Sequence, residues 1–395
     1  MTRTAIGHGR HQAHAFLCPS CGTCIEYTIA INHEKVTFEY GDEPVNATWS
    51  DDEDGAIAAI AFDVEPLLPG RGPVLTDPTS MTVSPFIQMT GIMRDALAYR
   101  QEYGRQLHVL KHRHEIDRLF THVEKANWTL LRDELVRLGM PDDGLEPDKL
   151  RLHVQIVLGE TQKVLIRNSG VASKAFASLI KRATTNALSA TETFLKEYRT
   201  SGRLSQLWTQ MRAARRDFLA NADAMMPLLQ VKHWRTAPTS LADCRLLNKQ
   251  FVPLRTLYID CFETLARVSV VALGLAGLAD RGTPSVPTNS GSMSIWDFEK
   301  LANANKAPHL LRAPDCAFLA PHLDTNLRNG VGHNSARYAA DKDDVVIAKQ
   351  VGDVIQESRL TYTEFVDKVL DIASTLMDLH VVAFWILDAN KGALT

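Results

Sequence analysis

From about Ser84 to the C-terminus, apolar residues recur at helical spacing in one long segment after another, and that period admits few architectures other than packed helices. Phe176, Leu179, Ile180, Ala183, Ala187, Phe194, Leu195 and Tyr198 form one stripe, closed by "TSG" with Gly202 as the stop. Leu204, Leu207, Trp208, Met211, Phe218 and Met225 form the next. A third long helix opens at Pro253, whose ring suits a first helical turn, and runs through Leu278 until "DRGTPSVPTNSGS" interrupts it as a mobile loop. Ser294 followed by Asp297 reads as a helix N-cap with an acidic third position. The β-branched runs from Asp344 to Leu360, split at Gly352, read as a hairpin, and a final helix is expected from about Thr361 to Asp388. Several long antiparallel helices imply a bundle.

The first 80 or so residues differ in texture. "CIEYTIAI" and "KVTFEY" alternate as strands do and are joined by a turn near Asn32 and His33. An acidic run, Asp51 to Asp54, and the Pro/Gly-rich "EPLLPGRGPVLTDP" then mark a linker. The expected fold is therefore mainly α, with a small N-terminal β module over 1–80, a helical middle region over 84–165 and a helical bundle over 166–395. At 395 residues two or three domains are expected. The apolar run Val268 to Leu278 is about half the length of a bilayer span, so it reads as a core helix. With no apolar leader and no span in view, the expected compartment is cytoplasmic and no membrane partner is expected.

The net charge of −3 conceals an asymmetry: the balance is −9 over 1–150, +10 over 151–250 and −4 over 251–395. A basic middle between acidic flanks suits a polyanion-facing surface or a set of solvated helix faces. "LHVLKHRHE" gathers His108, Lys111, His112, Arg113 and His114, and Arg212, Arg215 and Arg216 recur on a later helix. Such groups can neutralise RNA phosphates. No ribonucleoprotein-type aromatic signature accompanies them, so sequence-specific stacking on single strands is not supported.

Three of the six cysteines, Cys18, Cys21 and Cys24, fall within seven residues as C-x2-C-x2-C in "FLCPSCGTC". Thiolates so spaced in a turn reach one tetrahedral metal, and "CPSCG" resembles one knuckle of a zinc ribbon. No second C-x2-C follows, so a fourth ligand has to come from His8, His11, His14 or His33. A structural zinc and a ribbon that has lost its metal both remain open. The scattered remaining cysteines argue against a disulfide framework.

The segment richest in chemistry is "LDTNLRNGVGHNSARY", Leu323 to Tyr338. Arg328 and His333 are five residues apart, which in an unbroken helix directs them about 140° from each other. Gly330 and Gly332 favour a helix end or tight turn between them, which can swing imidazole and guanidinium toward one cleft, with Asn329 adding a short polar side chain. Histidine exchanges a proton near neutrality, and arginine's planar fork holds a phosphate and offsets its developing charge. That pairing suits scission of a phosphodiester by its own 2′-hydroxyl, with no metal required. Arg3 and His8 share the spacing, but only the later pair has an apolar approach, an Asn after the Arg and helical sequence on both sides.

The run "LRNGVGHN" resembles the R-x4-H signature of the higher eukaryotes and prokaryotes nucleotide-binding (HEPN) superfamily, in which a polar residue commonly follows the arginine. The resemblance implies an α-helical bundle, metal-independent RNA cleavage and a composite site across a homodimer. It assigns Arg328 and His333 as the catalytic pair and Asn329 as the supporting polar residue, with no cofactor for catalysis. Members often act as toxins or anti-phage effectors, which implies an antitoxin or a phage-derived trigger as a partner. Where some toxins of this type carry a tyrosine two residues after the histidine, this chain has Ser335, so regulation through that tyrosine is not implied. The competing expectation is a non-catalytic interaction scaffold with a zinc-knuckle recognition module. A metal-dependent hydrolase finds no H-E-x-x-H or clustered carboxylates to support it.

Overall fold

The computed structural model describes residues 104–166, 170–231, 244–246, 250–332, 335–339, 342–351 and 354–389, together with six short strands among the first 69 residues. Those strands are β1 (Thr2–Ala5), β2 (His11–Leu17), β3 (Cys24–Asn32), β4 (Thr37–Tyr40), β5 (Ala59–Phe62) and β6 (Leu68–Pro69). β2, β3 and β4 form an antiparallel sheet in that order, and β1 pairs with β5 in parallel. Cys18, Cys21, His8, His33 and His333 lie outside the described residues, and Cys24 opens β3. The rest is mainly α.

The helices are α1 (104–111), α2 (Arg113–Glu124), α3 (Trp128–Arg137), α4 (Pro147–Leu165), α5 (Val171–Thr200), α6 (Arg203–Ala220), α7 (Ala222–Val231), α8 (Phe251–Arg281), α9 (Ile295–Lys300), α10 (Ala307–Leu311), α11 (Thr325–Gly332) and α12 (Tyr362–Ala389). A two-residue strand β7 (Cys244–Arg245) pairs with β6. The chain divides into two compact units, one of residues 1–103, 221–255 and 330–370, the other of 104–220, 256–329 and 371–395.

The larger unit is organised by α8. Its most apolar 18-residue window has a mean hydropathy of 1.6, long and apolar enough to cross a membrane, yet 89% of that window is buried within the protein. Leu265, Ala266, Ala272, Leu273, Leu275 and Leu278 are fully buried. Truncating one of these leucines to alanine costs on the order of 2–5 kcal/mol. Gly277 lets the helix approach the following hairpin closely, since a Cβ there would stand 2.3 Å from the Ser285 carbonyl oxygen. That hairpin, β8 (Ser285–Thr288) and β9 (Gly291–Ser294), replaces the mobile loop expected from "DRGTPSVPTNSGS", because Val286 is wholly buried and anchors it. Ser294 caps α9 as expected, its hydroxyl accepting from the Asp297 amide at 3.1 Å.

The helix ends in this unit are closed by side chains from distant segments. Asp378 of α12 is buried and accepts from the Gly170 amide (2.9 Å), the Ser173 amide (2.9 Å) and the Ser173 hydroxyl (3.0 Å), so it caps α5 from another helix. Gln162 on α4 donates to the Met377 carbonyl at 2.7 Å. The α5 ladder breaks at Ala187, where the Thr191 hydroxyl takes the Ala183 carbonyl and Asn186 reaches the Ala279 carbonyl of α8. The continuous stripe from Leu204 to Met225 is two helices, separated at Asn221.

Two arginines that read as phosphate ligands are folded inward. Arg212 binds both oxygens of Glu124 at 2.9 Å and donates to Asp117 and Thr121. Arg215 is 4% exposed, and burial pushes its guanidinium down to about 10 against the attraction of Asp117. Beside them His380 packs between Phe120 and Trp208, with ring centroids at 4.9 and 4.6 Å.

In the smaller unit, β10 (Ala336–Ala339), β11 (Asp344–Val351) and β12 (Val354–Thr361) form an antiparallel sheet, with β11 and β12 the expected hairpin. Thr361 and Glu364 cap α12 reciprocally: the Glu364 amide donates to the Thr361 hydroxyl and the Thr361 amide to Glu364. Tyr362 is fully buried and its hydroxyl accepts from the Gln250 amide at 2.8 Å.

Two outcomes follow from the buried polar groups. Asp378→Ala strips three donors of their acceptor and is expected to cost about 2–4 kcal/mol in urea unfolding; an unchanged midpoint would refute the trans cap. Burial, with Arg215 and Arg212 adding repulsion, holds His380 well below the usual histidine value, and burial alone takes His322 to about 4. Below about pH 6.5 the unfolded chain therefore binds protons that the folded chain refuses, so stability falls as pH drops from 6.5 toward 4. At pH 5 His322 is expected to cost about 2 kcal/mol, and a His322→Gln variant should lose correspondingly less between pH 7.5 and 5.

Candidate active site

Helix α11 carries two of the three residues singled out in the sequence. Asp324 precedes it and accepts from the Leu327 amide at 3.1 Å through its carboxylate, satisfying an amide that the first helical turn leaves open. Leu323, Leu327 and Val331, spaced four apart, are buried. This leaves Arg328 partly open and Asn329 exposed on the remaining surface of the helix. Both glycines lie inside α11, which ends at Gly332, immediately before His333.

The helix end expected at these glycines falls at Gly332, while Gly330 has a separate role inside the helix. Its backbone is helical, and a Cβ there would sit 2.1 Å from Cγ2 of Ile347 on β11. The missing side chain therefore serves close packing of helix against sheet and not a change of chain direction. Ser335 follows, its hydroxyl donating to the Gly330 carbonyl at 2.9 Å, and its own carbonyl accepts from the Ala348 amide at 2.9 Å. Ser335 thus closes the end of α11.

Arg328 is oriented by a carboxylate. Its Nε and Nη2 both donate to Oε1 of Glu263 on α8, at 2.8 and 2.5 Å, and Nη1 reaches Oδ1 of Asn329 at 3.4 Å. The other oxygen of Glu263 accepts from Asn303 Nδ2 at 2.6 Å. Glu263 therefore grips the side-on edge of the guanidinium while Asn303 holds Glu263. A guanidinium has five N–H donors; three are engaged here, and two remain on the Nη1/Nη2 end. With side-chain exposures of 28% for Arg328 and 33% for Glu263, that end is reachable by solvent. Nearby on the same face of α8, Lys306 is 3% exposed, with Nζ 3.4 Å from the Ala266 carbonyl. Burial lowers its pKa, opposed by Glu299 and Glu263.

Glu263 and Asn303 escaped the sequence reading. The available signal was a carboxylate amid the apolar residues of α8, where an unpaired charge is costly and a partner is to be expected. Nothing in the residue pattern says that the partner lies 65 positions away. Among the described residues no three His, Cys, Asp or Glu side chains converge as a metal cluster. The described parts of the three singled-out residues thus bring Arg328 and Asn329 together, with Glu263 and Asn303 added. Comparison with family models, curated proteins and solved structures returned no match.

The packing of α11 is open to test. Gly330→Ala is expected to destabilise by about 1–3 kcal/mol through overpacking, and Ile347→Ala in the same chain should recover part of that loss. Strict additivity of the two changes, measured in a double-mutant cycle, would mean that the close approach does not exist.

Proposed function

We propose that this protein is a metal-independent endoribonuclease of HEPN type. The observation that supports this reading best is the Arg328 guanidinium, aligned on its inner edge by Glu263 while its outer donors remain open. A free arginine samples many rotamers, whereas one held by a carboxylate presents a fixed fork to an oxyanion. This is the pre-organisation that charge stabilisation in a phosphoryl transition state requires.

In the proposed reaction His333 accepts the proton of a ribose 2′-hydroxyl, and the resulting oxygen nucleophile attacks the adjacent phosphorus. The bond from phosphorus to the 5′-oxygen breaks, and that oxygen leaves with a proton, giving a 2′,3′-cyclic phosphate and a 5′-hydroxyl. Arg328 binds the non-bridging oxygens as charge builds on them, and Asn329 orients the guanidinium. A single neutral imidazole cannot accept one proton and supply another at the same moment, so a second copy of the chain brings a second pair. The biological setting proposed with it is cytoplasmic anti-phage defence or toxin-type growth control, answering to an antitoxin or a phage-derived trigger. Cys18, Cys21 and Cys24 are proposed to hold a structural zinc with no part in the chemistry.

The test is cleavage of a generic single-stranded RNA by the full chain with EDTA present. Arg328→Ala and His333→Ala are each expected to slow it by 100-fold or more, and an RNA with 2′-O-methyl groups should resist cleavage. Scission by His333→Ala at the parental rate would refute the proposal.

A further inference from the structure

Helix α4 is seated by Leu150, Val154, Leu158, Thr161 and Leu165, all buried, and its opposite side is open. Lys149, Leu152, Ile156, Glu160 and Lys163 are exposed there, and with Gly159 they fall within about 100° of the helix circumference. Leu152 is 53% exposed and Ile156 42%, and Leu145, just ahead of the helix, is 48% exposed. A single exposed aliphatic side chain is ordinary, but two stacked at i and i+4 in the middle of a helix make a continuous apolar strip. Gly159 lies on the same strip. A Cβ there would meet nothing within 4 Å, so no contact among the described residues calls for a glycine, although one inside a helix costs stability relative to alanine. A bare position on an exposed strip lets another chain lie close.

The charges beside the strip follow a pattern that is its own complement. Lys149 pairs with Glu146 at 2.9 Å and Lys163 with Glu160 at 2.6 Å, each within one helical turn. Lys149 and Glu160 are equally far from a point between Val154 and Gln155, and so are Glu146 and Lys163. A second copy laid antiparallel about a two-fold axis at that point therefore sets each of these four charges against its opposite and Leu152 beside Ile156. Lys149 and Glu160 also lie toward the same edge of the strip, about 60° and 80° round from Leu152, and such an axis keeps that edge facing itself. A parallel pair would instead set each charge against its own copy. Charges of both signs in equal number do not suit a polyanion or an anionic bilayer, whereas a self-complementary strip suits a second copy of the chain.

We propose that the exposed strip of α4 is a homodimer contact in which two copies of the helix lie antiparallel, Leu152 and Ile156 packed at the centre and Lys149 facing Glu160 of the other copy on either side. Apolar burial supplies the affinity, and the charges fix direction and register. One pair of 19-residue helices, each about 28 Å long, is a small contact, so the dimer forms in the micromolar range. Arg328, Asn329, Glu263 and Asn303 all lie off this helix, so the contact stands whether or not the chain cleaves RNA.

The experiment is sedimentation equilibrium of the full chain at low salt, from about 1 to about 200 µM. The average mass is expected to rise from that of one chain toward that of two. Ile156→Glu carries a charge into the centre of the contact and should weaken association by about 10-fold or more. Lys149→Glu and Glu160→Lys each bring like charges together twice per dimer and should weaken self-association to a similar extent. All three positions are exposed, so melting temperatures should match the parent. Mixed in equal amounts, the two charge variants should associate again, because each altered position then meets its opposite in the other chain. A parent chain that stays monomeric throughout overturns the proposal. So does an Ile156→Glu variant that dimerises as the parent does, since the contact would then lie elsewhere, and so does a mixture no more associated than its two components.

Discussion

Burial of α8 sets the terms for the larger unit. A 31-residue helix whose apolar residues lie on nearly all sides cannot rest on a surface as an amphipathic helix does. It must be surrounded, and each Leu or Val withdrawn from water contributes about 1.5–3 kcal/mol toward paying for the ordering of the chains around it. The close approaches follow from the same requirement. At Gly277 and Gly274 the absence of a side chain lets the hairpin backbone and the Phe194 ring reach the helix, where any Cβ would intrude.

Surrounding one helix with others brings many helix ends out of water, and each leaves backbone donors or acceptors to satisfy. The solution here is exchange between distant segments. Asp378 caps α5 and Gln162 takes a carbonyl of α12, while Asn186 takes one at the end of α8. The buried charges obey the same logic: Arg212 is enclosed by Glu124, Asp117 and Thr121, and the neutral His380 fills the aromatic space beside it. These polar closures specify one arrangement of helices more sharply than apolar contact does, because an unmatched buried donor costs more than a matched one contributes.

The Arg328 site grows out of this frame. Glu263 stands at a position of α8 that is half in and half out of solvent, where a carboxylate can survive and still hold a guanidinium firmly. Asn303 secures its second oxygen, so three polar groups from three segments form one short chain of hydrogen bonds. Such a chain transmits rigidity from the most deeply embedded helix to a side chain at the surface. The proposed chemistry draws on that rigidity.

Periodicity alone was enough to read the helical character, the run of α5, the start of α8, the Ser294 cap, the β11 and β12 hairpin and the final helix, because each is governed by residues within a few positions of one another. The choice of Arg328 and Asn329 as candidate residues likewise rests on a local motif. What periodicity could not convey is anything that depends on partners far along the chain: the Glu263 grip on Arg328, the Asp378 cap on α5, the burial of Arg215, and the packing of Gly330 against Ile347. Hydrophobic spacing reports which face of an element turns inward, but it carries no information about which other element waits there. That second fact is decided only when the apolar surfaces are brought together and the buried polar groups must find their mates.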